Sequence, residues 1–321
     1  MKVKNERQNA AHIKNIICSI LHIGGNMKNT TKFDLGIIPR LVLFVALSGA
    51  VSTPLRIFEE SVVEGRTGAP DFVTVPFIIY GICAKLIVGL GYVLFGHRLP
   101  VKNNILRAFA YMMLILFSSY LPNILAMAGG DGELIASSLS AGIVVVDTLT
   151  YVIEGIILGL LMKKYDLPIT SNSDAVSKSG FIRLCVINGI LFAGMNLLTD
   201  ILAGLGSRSW RLCSILGVSA GREMFFYTVF TLFMFTAGAL LTLWYRCCMP
   251  ENIPLSEAVM SALKITAVVW LPNVLIMAFF GTSLSLTLAY GGAYAVMITV
   301  CVLMYRRLSR VGRRGAVCEL R

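Results

Sequence analysis

The run Val229-Phe-Thr-Leu-Phe-Met-Phe-Thr-Ala-Gly-Ala-Leu-Leu-Thr-Leu243 decides the fold class. It contains no charge and no proline, and it lacks the alternation of a half-buried strand, so it predicts a helix. A helix that crosses about 30 Å of hydrocarbon needs about 20 such residues, and it pairs its backbone polar groups internally. Similar stretches occur at 36–57, 73–96, 105–128, 134–162, 181–205, 223–245, 257–280 and 283–305. The sequence therefore predicts an all-α polytopic membrane protein with eight transmembrane helices.

The composition excludes a pair of soluble domains, which the length of 321 residues would otherwise suggest. Hydrophobic residues make up 56% of the chain and charged residues 14%, whereas a soluble domain carries about 25% charged residues. So few charges cannot solvate the surface of a globule this apolar, and lipid is therefore expected to be the main solvent. The net charge of +11 sits between and beyond the apolar stretches, which indicates membrane topology rather than nucleic-acid binding.

Positive charges indicate which connections are cytoplasmic, because Lys and Arg are enriched on that side. The N-terminal arm, the 97–107 and 163–183 connections and the C-terminal tail are basic, whereas 57–72 and 129–133 are acidic. The 206–222 connection, which carries three arginines, is the exception. We therefore expect a multi-pass plasma-membrane protein with both termini in the cytoplasm. The basic arm and tail are expected to contact anionic lipids, and no nucleic-acid partner is predicted.

The first 26 residues allow two interpretations. Residues 16–25 are apolar but too short to span, and no cleavage pattern follows them, so a cleaved signal peptide is not expected. The arm either lies on the anionic inner leaflet, held by its lysines, or precedes the true start of the protein. Gly24-Gly25-Asn26-Met27 favours a start at Met27, because GGA-GGA codons just before ATG would form a ribosome-binding site.

An internal repeat divides the chain into two halves. Residues 121–128 (LPNILAMA) recur as residues 271–278 (LPNVLIMA), with six of eight positions identical at an offset of 150. Four spans per half is an even number, so both halves begin on the same side of the membrane and form a parallel repeat. The predicted organisation is an arm at 1–35, a first four-helix repeat at 36–165, a linker at 166–180, a second four-helix repeat at 181–305 and a basic tail at 306–321.

The repeated motif places a proline and an asparagine in spans three and seven. Pro122 and Pro272 each remove a backbone hydrogen bond and are expected to kink the helix. Asn123 and Asn273 follow them, where they can bond to freed carbonyls or across helices. These residues form either an ordinary kink with a local amide or a pair of broken helices that line an outward-facing cavity.

Charges inside the spans are the most informative residues for function, because each costs at least about 2.5–3.5 kcal/mol at the bilayer centre. Lys85 lies near the middle of span two and Asp147 near the middle of span four, which predicts a Lys85–Asp147 ion pair. Glu154 lies seven residues after Asp147, within about 20° of the same helix face and about 10 Å nearer the cytoplasm. Tyr151 lies between them on this polar stripe.

Two roles are open for this cluster. Acidic residues in such a row can carry protons, because burial raises the pKa of a carboxylate and a nearby lysine lowers it. The alternative is a static ion pair that fixes the helix register. At the offset of 150, Lys85 corresponds to Phe235 and Asp147 to Met297. The charges therefore occur in one half only, which favours a role in function over a requirement of the shared fold.

Other polar features indicate interfaces rather than sites. Seven further charged residues near span ends are expected at the membrane interface: Arg56, Glu59, Glu60, Asp200, Arg222, Glu223 and Lys264. The histidines His12, His22 and His97 fall outside the spans, so no histidine-based metal or protease site is predicted. No nucleotide-binding glycine pattern is present, and no cofactor is expected.

The sequence most favours a transporter or permease for a small solute or a lipid-like molecule, with proton coupling as one option. Lys85, Asp147, Tyr151 and Glu154 would form the substrate- or ion-coupling cluster. Pro122, Asn123, Pro272 and Asn273 would line the cavity. The alternatives are an accessory or sensor subunit that works with a partner membrane subunit, and an intramembrane lipid-modifying enzyme.

Overall fold

A computed structural model describes residues 36–58, 75–96, 99, 101–121, 141–162, 178–205, 220–248, 254–279 and 284–318. Within these ranges the regular structure is entirely helical, which confirms the predicted all-α class. The elements are α1 (Ile37–Phe58), α2 (Val75–Leu94), α3 (Asn104–Ile115), a π-helical turn (Leu116–Tyr120), α4 (Ala141–Leu161), α5 (Lys178–Leu205), α6 (Ala220–Cys248), α7 (Leu255–Val269), α8 (Leu271–Phe279) and α9 (Leu284–Cys318).

The helices follow the predicted apolar stretches, with three differences of detail. The seventh stretch consists of two helices, α7 and α8, rather than one. Helix α5 begins at Lys178, inside the predicted linker, and α9 continues through the predicted basic tail as far as Cys318. The N-terminal arm and the rest of the linker lie outside the described residues.

Within the part of the chain that the structure describes, two segments are long and apolar enough to cross a membrane: α1 and residues Ser179–Leu198 of α5. This finding supports association with a membrane and leaves the eight-span arrangement as a prediction.

The π turn ends α3 with a widened backbone. Asn103 caps the start of α3, and its side chain accepts hydrogen bonds from the backbone N–H groups of Ile105 (2.9 Å) and Leu106 (3.2 Å). At the other end the Leu121 N–H donates to the Leu116 carbonyl, the wide spacing of a π turn. The Ser118 hydroxyl donates to the Leu114 carbonyl. Side-chain hydroxyls thus bind carbonyls where the helix changes its register.

The break between α7 and α8 falls at Trp270, two residues before the predicted proline kink. Pro272 has no N–H to continue the helix, and it sits in the first turn of α8, where proline is tolerated. The Asn273 N–H donates to the Trp270 carbonyl (3.0 Å) rather than to Val269, one position further back. The Val269 carbonyl is therefore released from the helix, and it accepts the Ser119 hydroxyl from the π turn.

Helix packing follows the same plan in the two parts of the chain. Helix α3 packs against α4 as α7 packs against α9, and α1 contacts α2 and α4 as α5 contacts α6 and α9. The two parts meet where the π turn packs on α6 and α8 packs on α2. Large aromatic side chains fill the centre, with Tyr111 in edge contact with Tyr92 (ring centroids 5.3 Å apart) and Trp244 (5.4 Å).

Glycines bring α3 and α4 into backbone contact. A Cβ atom on Gly159 would lie 2.6 Å from the Ile105 Cα, and one on Gly155 would lie 3.0 Å from the Phe109 Cα. Both neighbouring atoms belong to the backbone, so no side-chain rotation can relieve the overlap. The two helices therefore form a closely packed pair that depends on these glycines.

We expect Gly159→Ala to destabilise the protein by about 1–3 kcal/mol, the usual effect of overpacking a tight contact. The matched control is Gly194→Ala in α5, where a Cβ would have no neighbour within 4 Å. Because alanine is a better helix former than glycine by up to about 1 kcal/mol, the control is expected to be neutral or stabilising. Denaturation of the purified full chain in detergent, monitored by circular dichroism, measures the stability of both variants. Equal effects of Gly159→Ala and Gly194→Ala would contradict the close contact between α3 and α4.

Candidate functional site

Two buried carboxylates on α4 each bind a cation from another helix. Asp147 forms an ion pair with Arg56, near the end of α1. Glu154 forms an ion pair with Lys85, at the middle of α2, with its two carboxylate oxygens 2.5 Å and 2.7 Å from the lysine Nζ. The side chains of Asp147 and Glu154 are 3% and 0% exposed, whereas those of Arg56 and Lys85 are 30% and 21% exposed. The site therefore covers its acids and leaves part of each cation accessible.

Tyr120, the last residue of the π turn, forms hydrogen bonds with both members of the Arg56–Asp147 ion pair. Its hydroxyl donates to Asp147 Oδ2 (2.7 Å) and accepts a hydrogen bond from the Arg56 guanidinium (2.7 Å). Tyr80 from α2 interacts electrostatically with the same two residues. The Asp147 carboxylate is therefore bound by α1 and by the π turn at once.

Tyr151 separates the two ion pairs. Its ring lies 5.3 Å from the Tyr120 ring, and the Lys85 Nζ lies 5.6 Å from its centroid, within the range of a cation–π contact. The four sequence-predicted coupling residues, Lys85, Asp147, Tyr151 and Glu154, therefore lie together in one cluster. The structure adds Arg56 and Tyr120 to them.

The predicted Lys85–Asp147 ion pair is wrong, because Lys85 binds Glu154 and Asp147 binds Arg56. The prediction estimated depth from a span that begins at residue 134, whereas the described helix begins at Ala141. Lys85 is the eleventh residue of α2, and the eleventh residue of α4 is Tyr151, so Asp147 and Glu154 both lie within about one helical turn of the depth of Lys85 and position along the helix does not choose between them. Arg56 near the end of α1 is instead the partner of Asp147.

The residues predicted to line a cavity are described only in part. Asn273 is buried, and its Nδ2 donates to the Ser119 hydroxyl oxygen (2.7 Å), a bond between α8 and the π turn. This contact agrees with the expectation that the asparagine bonds across helices. Pro272 is buried beside it. Pro122 and Asn123 lie outside the described residues, and the cavity itself stays a prediction.

The corresponding part of the second half is uncharged in the described residues. Phe235, at the position of Lys85, is half-buried, and Met297, at the position of Asp147, is buried. Helices α5 and α6 share a hydrogen bond between Asn188 Nδ2 and Thr242 Oγ1 (3.1 Å). They also meet where the Arg246 guanidinium lies 4.6 Å from the centroid of the Phe181 ring.

The described fold and site define an all-helical, strongly apolar protein with paired charges buried on one helix. Comparison with family models, with curated proteins and with solved structures finds no match to this chain. The contacts within the site are therefore the basis for inferring the function.

Proposed function

We propose that the protein is a multi-pass plasma-membrane transporter for a small solute or a lipid-like molecule, coupled to protons through the α4 carboxylates. The observation that carries this proposal is the pair of buried ion pairs, Arg56–Asp147 and Lys85–Glu154, in one half of the chain. The proposed arrangement has eight spans in two parallel four-helix halves, with both termini in the cytoplasm. Anionic lipids would contact the basic arm and tail.

Exposed apolar side chains support lipid as the solvent. Monomeric soluble proteins rarely expose large contiguous apolar patches, yet large aliphatic side chains are exposed on each of the longer helices. Examples are Val42 on α1, Ile78 on α2, Val145 on α4, Ile190 on α5, Leu232 on α6 and Val296 on α9. Their number adds to the evidence from the two helices that meet the length and hydropathy criterion.

The matched helix contacts support the two parallel halves. Each main contact among α1 to α4 has a counterpart among α5 to α9. Between the halves, the contact of the π turn with α6 corresponds to that of α8 with α2, and α7 also contacts α2. Ser119 bonds to the carbonyl of Val269, the residue 150 positions later. Equivalent residues meet each other only beside a two-fold axis, so this bond supports a pseudo-two-fold axis between the π turn and the α7–α8 break.

The distribution of charge supports coupling over a purely structural role. If the helix contacts alone needed buried ion pairs, the second half would need them too, yet Phe235 and Met297 occupy those positions. Buried pairs are weak contributors to stability, because desolvation offsets much of their attraction. Because the ion pair contributes little net stability, a carboxylate can release its cation and bind a proton without a large change in free energy.

We expect Asp147→Asn and Glu154→Gln each to lower solute-driven proton flux by about 100-fold, the effect typical of removing a positioned proton-transfer group. The full chain would be reconstituted in phosphatidylcholine vesicles that contain a pH-sensitive dye. Gradients of succinate, inorganic phosphate, glycine and choline would be applied in turn, with a fluorescent phosphatidic acid as the lipid probe.

The matched control is Asn196→Ala, which removes a buried polar side chain whose Nδ2 donates to the Phe192 carbonyl of its own helix (2.8 Å). Its flux is expected to equal that of the wild-type protein. Unchanged flux in folded Asp147→Asn and Glu154→Gln would contradict proton coupling through these two carboxylates.

A further inference from the structure

We infer that the solute carries an anionic group that binds Arg56, and that one proton enters the cluster with each negative charge; this inference rests on the proposed function. Its basis is the unequal accessibility of the charges. The cations are 30% and 21% exposed, whereas the carboxylates are 3% and 0% exposed. An incoming group therefore meets positive charge first, and a cationic solute has no comparable access to Asp147 or Glu154.

Arg56 offers the geometry that an anion requires. A guanidinium presents several N–H donors in a planar fork, which matches the two oxygens of a carboxylate or a phosphate. One terminal nitrogen of Arg56 contacts both Asp147 and the Tyr120 hydroxyl. An anionic group that takes the place of Asp147 at this nitrogen would keep the hydrogen bond to Tyr120. The ligand class is therefore a small carboxylate or phosphate, either free or as a lipid headgroup.

Charge balance sets the proton count. The groups around Asp147 are Arg56 from α1, Tyr80 and Lys85 from α2, Tyr120 from the π turn, and Tyr151 and Glu154 from α4. Among the described residues, two cations and two carboxylates make this cluster neutral. An added monoanion would leave one uncompensated buried charge, which is costly.

A single proton removes that charge. The proton binds a carboxylate oxygen of Asp147, the Asp147–Arg56 contact opens, and the guanidinium binds the oxygens of the solute. No bond within the solute breaks, and nothing is oxidised or reduced. A dianion would bring a second proton, for which Glu154 and its partner Lys85 form the second site. The expected process is electroneutral movement of an anion together with protons.

The test measures binding and proton uptake on the full chain in uncharged detergent by titration calorimetry, in buffers with different ionisation enthalpies. The probes are inorganic phosphate, succinate and a short-chain phosphatidic acid. We expect at least one to bind with proton uptake that matches its charge. Binding of phosphate or succinate indicates a free anion as the solute, and binding of phosphatidic acid alone indicates a lipid headgroup.

Three variants separate the contributions of Arg56 and Asp147 to anion binding and to proton uptake. Arg56→Gln is expected to weaken binding by about 10- to 100-fold, the loss of a charge-assisted hydrogen bond, and Arg56→Lys by less. Asp147→Asn releases Arg56 without a proton, so it is expected to bind the anion with one proton fewer than the wild-type protein. The matched control is Arg183→Gln in α5, an exposed arginine, which is expected to change neither quantity.

Binding that survives Arg56→Gln unchanged, or that takes up no proton in the wild-type protein, would overturn the inference. Failure of all three probes to bind, while choline, which has no anionic group, drives proton flux that depends on Glu154, would overturn the anionic class and leave the proposed transport intact. If the wild-type protein shows no proton flux with any solute in the vesicle assay, that result would instead count against the proposed function itself.

Discussion

Lys85→Met is expected to destabilise the folded protein by about 3–5 kcal/mol, because it leaves the fully buried Glu154 carboxylate without its counter-charge. The double variant Lys85→Met/Glu154→Met removes both charges and should recover most of this loss, since an apolar pair of similar volume often replaces a buried ion pair without cost. Unfolding of the full chain in mixed micelles, monitored by circular dichroism, gives the free energy of unfolding of each variant.

The matched control for this cycle is Lys102→Met, the same substitution at an exposed position before α3. Its effect is expected to stay within about 0.5 kcal/mol. If Lys85→Met is as mild as Lys102→Met, or if the double variant is as unstable as the single one, the pair does not balance charge in the folded state.

Trp270→Ala is expected to cost about 3–5 kcal/mol, the range for truncation of a buried tryptophan. Trp270 is fully buried at the α7–α8 break, and its ring stacks on Tyr294, with centroids 3.7 Å apart and an interplanar angle of 12°. Phe192 lies next to it, with ring centroids 6.2 Å apart. The truncation therefore opens a cavity that the surrounding aromatic rings can fill only in part.

Trp270→Phe is the informative control for this truncation. The indole N–H of Trp270 has no hydrogen-bond partner among the described residues. Phenylalanine keeps an aromatic ring against Tyr294 and removes a buried, unsatisfied donor, so its cost is expected to stay below about 1.5 kcal/mol. Thermal denaturation in detergent would measure both variants, and a similar loss in each would show that the shape of the indole matters more than its burial.

The apolar pattern predicted the helices well because uninterrupted hydrophobic runs identify helical segments without any tertiary information. The helix break was placed less well. Proline at 272 indicated an interruption, but its position at Trp270 follows from the bonds of Asn273 and Ser119 to the neighbouring backbone. Those bonds join residues far apart in the chain, and local sequence does not encode them.

The site was predicted as a cluster but not as a set of partners. Buried charge on an apolar helix is conspicuous, so Asp147, Glu154 and Lys85 could be found from the sequence alone. Arg56 was missed because a cation near the end of a span resembles an ordinary interface residue. The only signal for it was the unequal number of acids and bases: two carboxylates on one helix face require two cations.

The position of the charges on the helices has a consequence for motion. Both carboxylates belong to α4, which is fastened to α3 through Gly155 and Gly159, whereas the cations belong to α1 and α2. Any movement that parts α4 from α1 and α2 must open both ion pairs together. In the proposed transporter, the two ion pairs would hold the solute-free protein in one conformation, and protons could not cross until a bound solute opened both pairs.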